Sequence, residues 1–363
     1  MPNRHEIDKD GDLILQLSRV GLYDAEDEVA EDEASSEDAD EKLANYEQVA
    51  NDELRVSSKV LALNSPVFKA MLGGRFKEGT ELAENMGSPE PYSIDFPDDD
   101  VEAMTILCQI LHNVYVSERP KPMGLSRLAS IGDKYECINA LKYCGMVWIR
   151  DWLQDFEENE PAMVDFCHLL VFSYVIDLPS EFSEISWRMF LYHEGPFSST
   201  SDQIKVLVDH PLLRHDIIHC LEQRRHECCN TFYKGLINPA TWSWDISQNP
   251  CVRSARSLGA YMETLRKFNV LPRDIDFATH RFCHLLETAV DLPKITMADF
   301  SCIREIGVCG CRTNKYFNQN LTDEVEKEAR NIIQKRRVFN CLDCLKSDGA
   351  SGAARSCRIR HFK

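Results

Sequence analysis

Strand-like alternation is confined to the first hundred residues of this chain, and beyond about residue 160 the apolar pattern is only helical. Asp12–Leu17 (DLILQL), Leu54–Val56 (LRV) and Tyr92–Phe96 (YSIDF) read as short strands. Between and after them the apolar residues recur every three or four positions. Ser65-Pro66 starts a helix, since Ser caps and Pro suits the first helical position. Val67, Phe68, Met71 and Leu72 form its expected buried stripe, and Gly73-Gly74 ends it. Asp98–Asp100 opens a further helix, in which Asp99 and Glu102 have capping-box spacing and Met104, Leu107, Cys108, Leu111 and Val114 form the stripe. Leu125–Cys137 and Ile138–Leu153 give two more. In the second half, Leu213, Ile217, Leu221, Arg224 and Cys228 mark one long helix, and Val252, Ala255, Leu258, Met262 and Leu265 another. Prolines from Pro179 to Pro293, Pro239 among them, punctuate this all-helical half. A few short strands followed by a run of helices predicts an α+β fold with more helix than sheet.

Charge divides the chain further. Eleven acids and no Lys or Arg fall within residues 24–41, and they supply most of the net charge of −18. A stretch so charged and so poor in apolar residues is expected to be a solvated, disordered insertion between the first two long strands. The end of the chain is the reverse: residues 327–363 hold ten Lys or Arg against three acids. The longest apolar run, Leu169–Ile176, contains a Ser and is bracketed by Asp165 and Asp177, far short of the roughly 20 residues a membrane helix needs. The polar opening MPNRHEIDKDGD has no signal-peptide character. A cytoplasmic or nuclear protein is expected, with no membrane partner. Its fifteen cysteines are then mostly small buried apolar residues rather than disulfides.

Four blocks carry a resemblance. LRVSSKVLALNSPVFKAML, GRFKEG, IDFPDDDVEAMTILCQILH and LASIGDKYEC follow one another in an order and spacing similar to the fungal-type BTB/POZ domain, with DLILQL in the place of that family's first strand. VIDLPSEFSEISWRMFLYHEGPF at 175–197 and CLDC…CRIRH at 341–361 resemble stretches that the family carries in its middle and its tail. The resemblance implies a BTB/POZ domain at 1–153 (a short sheet flanked by helices), carrying the acidic insertion at 24–42. A helical region at 154–300 and a Cys-rich basic tail at 301–363 follow. It also implies a non-enzymatic scaffold for other proteins that homodimerises through this domain. In BTB adaptors of cullin-RING ubiquitin ligases, an apolar residue two before a Glu helps bind the cullin. Phe76-Lys77-Glu78 matches that pattern, so a substrate adaptor is the alternative reading.

Other motifs weigh less. Gly74–Thr80 has the glycine spacing of a phosphate-binding loop but lacks its Lys, and Asp8, Asp10 and Asp12 imitate a calcium loop that lacks its Gly. No G-x-S-x-G, H-E-x-x-H or G-x-G-x-x-G occurs, and no enzyme is expected. Cys341-x-x-Cys344 has the spacing and softness of a structural zinc site. Its second pair is either Cys357 with His361 or, upstream, Cys309 with Cys311. The first set closes the smaller loop, whereas Arg355, Arg358 and Arg360 crowd it with positive charge. A nucleic-acid-binding regulator using the basic tail is a third function, without the stacking or finger spacing that would make nucleic acid an expected partner.

Overall fold

The computed structural model describes residues 3–18, 51–159, 161–197, 204–245, 252–271, 281–302, 317–335, 339–347 and 357–359. The acidic insertion at 24–42, Cys309, Cys311 and His361 lie outside them. The chain forms two compact units, Met1–Asp155 with Val171–Asp177, and Phe156–Leu170 with Leu178–Lys363. Its fold is mixed, mostly helical, with one small sheet, and no helix among the described residues is long and apolar enough to cross a membrane.

The sheet lies in the first unit. Its strands β1 (Asn3–Glu6), β2 (Leu13–Ser18), β3 (Asn51–Val56) and β4 (Tyr92–Phe96) stand in the order β1-β3-β2-β4. β2 runs antiparallel to β3, with Leu15 opposite Leu54, and parallel to β4. Leu13, Ile14 and Leu15 are all buried, so this central strand is covered on both faces. β1 is an exposed polar edge strand whose pairing to β3 is carried by the backbone. Nothing in its side chains alternates, so the pattern that reveals the other strands misses it.

Two short helices follow β3. Ser57 caps α1 (Ser58–Asn64), and Ser65 caps α2 (Pro66–Met71) by accepting from the Phe68 N–H at 3.0 Å. Ser65 Oγ also donates to the Tyr135 carbonyl at 2.7 Å, which ties the cap to the helix pair downstream. Of the expected stripe, only Phe68 is buried; Val67, Met71 and Leu72 are half-exposed because α2 is less than two turns long. Residues 77–84 form a helix, α3, rather than a loop, and Gly79 lies in its first turn. A Cβ there would stand 2.2 Å from the Gly73 carbonyl oxygen, so the glycine of the phosphate-loop-like stretch serves close backbone packing.

α4 (Val101–Leu111), α5 (Pro122–Lys134) and α6 (Ile138–Glu158) complete the layer. Asp100, not Asp99, caps α4, accepting from the Ala103 N–H at 2.8 Å. Asp99 is instead buried, where it accepts from Lys134 Nζ at 2.6 Å and from the Tyr135 hydroxyl. Burial, and then that hydrogen bond, push the Tyr135 phenol above its ordinary range. The Tyr135 ring stacks on Phe68 at 4.4 Å, and Phe96 meets both edge-on at 6.3 Å. α4 ends at Leu111, so Val114 falls past the helix and is exposed, not part of the stripe.

The second unit is helical among its described residues, apart from one bridge between Thr296 and Asn320. α7 (Met163–Val175), whose residues from Val171 on belong to the first unit, is followed by α8 (Pro179–Tyr192), α9 (Lys205–Asp209), α10 (Ile217–Asp245), α11 (Val252–Lys267), α12 (Phe282–Val290), α13 (Asp323–Gln334) and α14 (Leu342–Lys346). α10 runs through Pro239 rather than ending there. α11 buries Ser254, Ser257, Tyr261 and Leu265 and exposes Val252 and Met262, so its inner face is turned from the expected stripe. The Tyr261 hydroxyl decides this, because it reaches inward to the Leu236 carbonyl at 2.9 Å. Trp187, Phe190, Phe232, Phe282 and Phe339 form the aromatic centre of one core. Beside it the buried Arg225 guanidinium donates to the carbonyls of Phe190 and His193 at 3.4 and 3.2 Å. Burial, and next the Arg225 charge, hold the His193 imidazole below its ordinary range.

Candidate functional site

The tail cysteines are brought together by three anchors within the second unit. Phe339, two residues before Cys341, packs edge-on against Trp187 at 5.4 Å and stacks on Phe190 at 5.0 Å. Its N–H donates to Ser183 Oγ at 3.0 Å, and its carbonyl accepts from Arg224 Nε at 2.6 Å. Leu342, fully buried, seats the first turn of α14, and Arg214 donates to the Leu345 carbonyl near its end. The third anchor is electrostatic. The Asp343 carboxylate accepts from the Arg358 backbone N–H at 2.7 Å and from its guanidinium at 2.6 and 2.9 Å.

This clamp sets Cys357 beside α14. The Sγ atoms of Cys341, Cys344 and Cys357 all lie within 4.8 Å of one another, and those of Cys344 and Cys357 are 3.5 Å apart. Cys341 is buried, Cys357 half-buried and Cys344 exposed. Four sulfurs around a zinc ion at about 2.3 Å would stand about 3.8 Å from each other, so the three thiols are close enough to share a metal after small adjustments. Burial, and then hydrogen bonding to Cys357 and Cys341, push the Cys344 thiol up to about 12, and burial raises that of Cys341. Without a metal the thiols of Cys341 and Cys344 are therefore held protonated, and Cys344 is hydrogen-bonded to Cys357.

The sequence places Arg358 as charge crowding the site. In the structure that charge is engaged by Asp343, and the pair positions a ligand instead of repelling the ion. Neither residue could be given this role from spacing, because the contact joins positions fifteen apart through a stretch without regular pattern. A surface groove beside the thiols is lined by Cys220, Gln223, Arg224 and Glu227 of α10 together with Phe339, Cys341 and Cys344.

The other candidate site lies in the first unit. Phe76 is the residue preceding α3 and is 54% exposed, and Glu78 lies in that helix's first turn. Both line a shallow depression with Pro66, Val67, Ala70 and Met71 of α2 and with Glu136. The half-exposed apolar side of α2 thus belongs to the floor of this depression. No family model, curated protein or solved structure matches the chain.

Proposed function

We propose that residues 1–153 are a BTB/POZ-type interaction module through which two copies of the chain pair and gather other proteins. The observation that supports this is where the four blocks of the resemblance fall. DLILQL and LRV lie on the paired strands β2 and β3. SSKVLALNSPVFKAML covers α1 and α2, and IDF closes the sheet on β4. GRFKEG leads into α3, VEAMTILCQIL forms α4, and LASIGDKYEC ends α5. All of them belong to one compact unit, in the order that such a domain requires. The mass of the protein in solution tests the pairing.

The depression at Phe76 and Glu78 favours a second reading, a substrate adaptor of a cullin-RING ubiquitin ligase. An exposed aromatic ring beside an acid, over an apolar floor, suits an amphipathic helix carrying a basic residue. On this reading Glu78→Ala abolishes capture of a purified cullin and leaves the dimer intact. Equal capture by the variant and the parent protein rejects it.

The Cys-rich tail, on the same proposal, carries one structural zinc ion held by Cys341, Cys344 and Cys357, with His361 as the fourth ligand of the closer set. On binding, the thiols would release their protons to solvent, and the binding energy would tie Cys357 to α14. Metal analysis of protein purified without chelators is expected to find one equivalent. Cys341→Ser removes it and Cys309→Ser does not; loss in Cys309→Ser with retention in Cys357→Ser would transfer the site to the upstream pair.

A further inference from the structure

We infer that Cys344 and Cys357 are also a site of oxidative modification, closing to a disulfide when a peroxide reaches them. The geometry carries this. Their sulfurs are 3.5 Å apart, and a disulfide bond of about 2.05 Å needs them to approach by only about 1.5 Å. Cys344 is exposed on α14, whereas Cys341 is buried behind it. A small oxidant in water therefore meets Cys344 first. The two guanidinium hydrogen bonds of Arg358 to Asp343 keep the neighbouring Cys357 in place to answer.

The chemistry is a two-step, two-electron oxidation. Cys344 first gives its proton to solvent, and the thiolate attacks one peroxide oxygen; the O–O bond breaks, the other oxygen takes up a proton from solvent and leaves as water, and Cys344 carries a sulfenic acid. The Cys357 sulfur then attacks that sulfur; the S–O bond breaks, the S–S bond forms, and a second water takes the hydroxyl and the Cys357 proton. The two thiols lose two electrons and the peroxide gains them. With a metal in place the two sulfurs are thiolates, and both protons come from solvent. An ion held there would lose two of its three described ligands, Cys344 and Cys357, and would be released unchanged in oxidation state. This release step rests on the zinc reading above, whereas the disulfide itself does not.

The test uses the full chain as purified, with its metal content measured beforehand. After one equivalent of hydrogen peroxide, peptide mapping without reduction is expected to find Cys344 joined to Cys357. A chromogenic chelator should find one zinc released per bond. In Cys357→Ser, Cys344 is expected to remain as a sulfenic acid that a 1,3-dione reagent captures, with Cys341 unmodified. A Cys341–Cys344 crosslink, or unlinked thiols at oxidant levels that modify other cysteines of the chain, overturns the inference. A Cys344–Cys357 bond in protein that never held metal sustains it while overturning the zinc reading. Zinc retained with no bond formed does the converse.

Discussion

Phe68→Ala is expected to destabilise the first unit by about 3–5 kcal/mol, the cost of deleting a buried aromatic ring and leaving its cavity. Phe68 is fully buried and stacked on Tyr135, with Phe96 meeting both rings. Its loss removes the partner that Tyr135 lies against while Asp99 still holds the hydroxyl, so the ring cannot move to refill the space. In a unit of about 150 residues this lowers the melting temperature by on the order of 10 °C. Differential scanning calorimetry of the full chain checks it, because the transition of the second unit serves as an internal reference. Phe76→Ala is the control: exposed, and touching the depression rather than the core, it should move stability by no more than about 0.5 kcal/mol. Equal shifts in the two variants would mean that Phe68 does not anchor the core.

The second large effect is expected at Phe339→Ala, again about 3–5 kcal/mol, now in the second unit. The ring is 1% exposed between Trp187 and Phe190, and its backbone is held by Ser183 and Arg224. Removing it vacates the aromatic centre and frees the approach to α14, so limited proteolysis should cut near Asn340 in the variant first. Cys344→Ser gives the contrast. It removes an exposed sulfur and the proposed zinc, yet leaves Phe339 and Leu342 seated, so the transition of the helical core should stay close to that of the parent. A Phe339→Ala variant that melts like the parent would contradict the anchoring role.

Much of the first unit is legible in the sequence because its signals are local. β2, β3 and β4 show themselves by apolar residues that a short strand can bury, and α2 by the Ser-Pro pair that caps it. What escapes has physical reasons. β1 is held by backbone bonds at an exposed edge, and its side chains need not differ from those of a loop. Of three successive aspartates any one can cap, and the choice of Asp100 follows from Asp99 being drawn inward by Lys134 and Tyr135, thirty-five residues away. The face of α11 is set by the reach of the Tyr261 hydroxyl, which outweighs the apolar count around the helix. At the candidate site the Cys341–Cys344 spacing is readable, since it is a common spacing of paired zinc ligands. That Cys357 joins them, and that Asp343 and Arg358 make the joint, depends on a contact between positions fifteen apart that no local pattern signals.

Pairing of the chain with a second copy through residues 1–153 is the claim on which the functional account stands. Sedimentation velocity of the full protein at micromolar concentration measures it directly. The account predicts a species of twice the chain mass. It should also tighten as salt is raised, because salt screens the repulsion between two copies of a chain whose net charge is −18. A single species of one chain mass, across the concentration range and at both low and high salt, would contradict it.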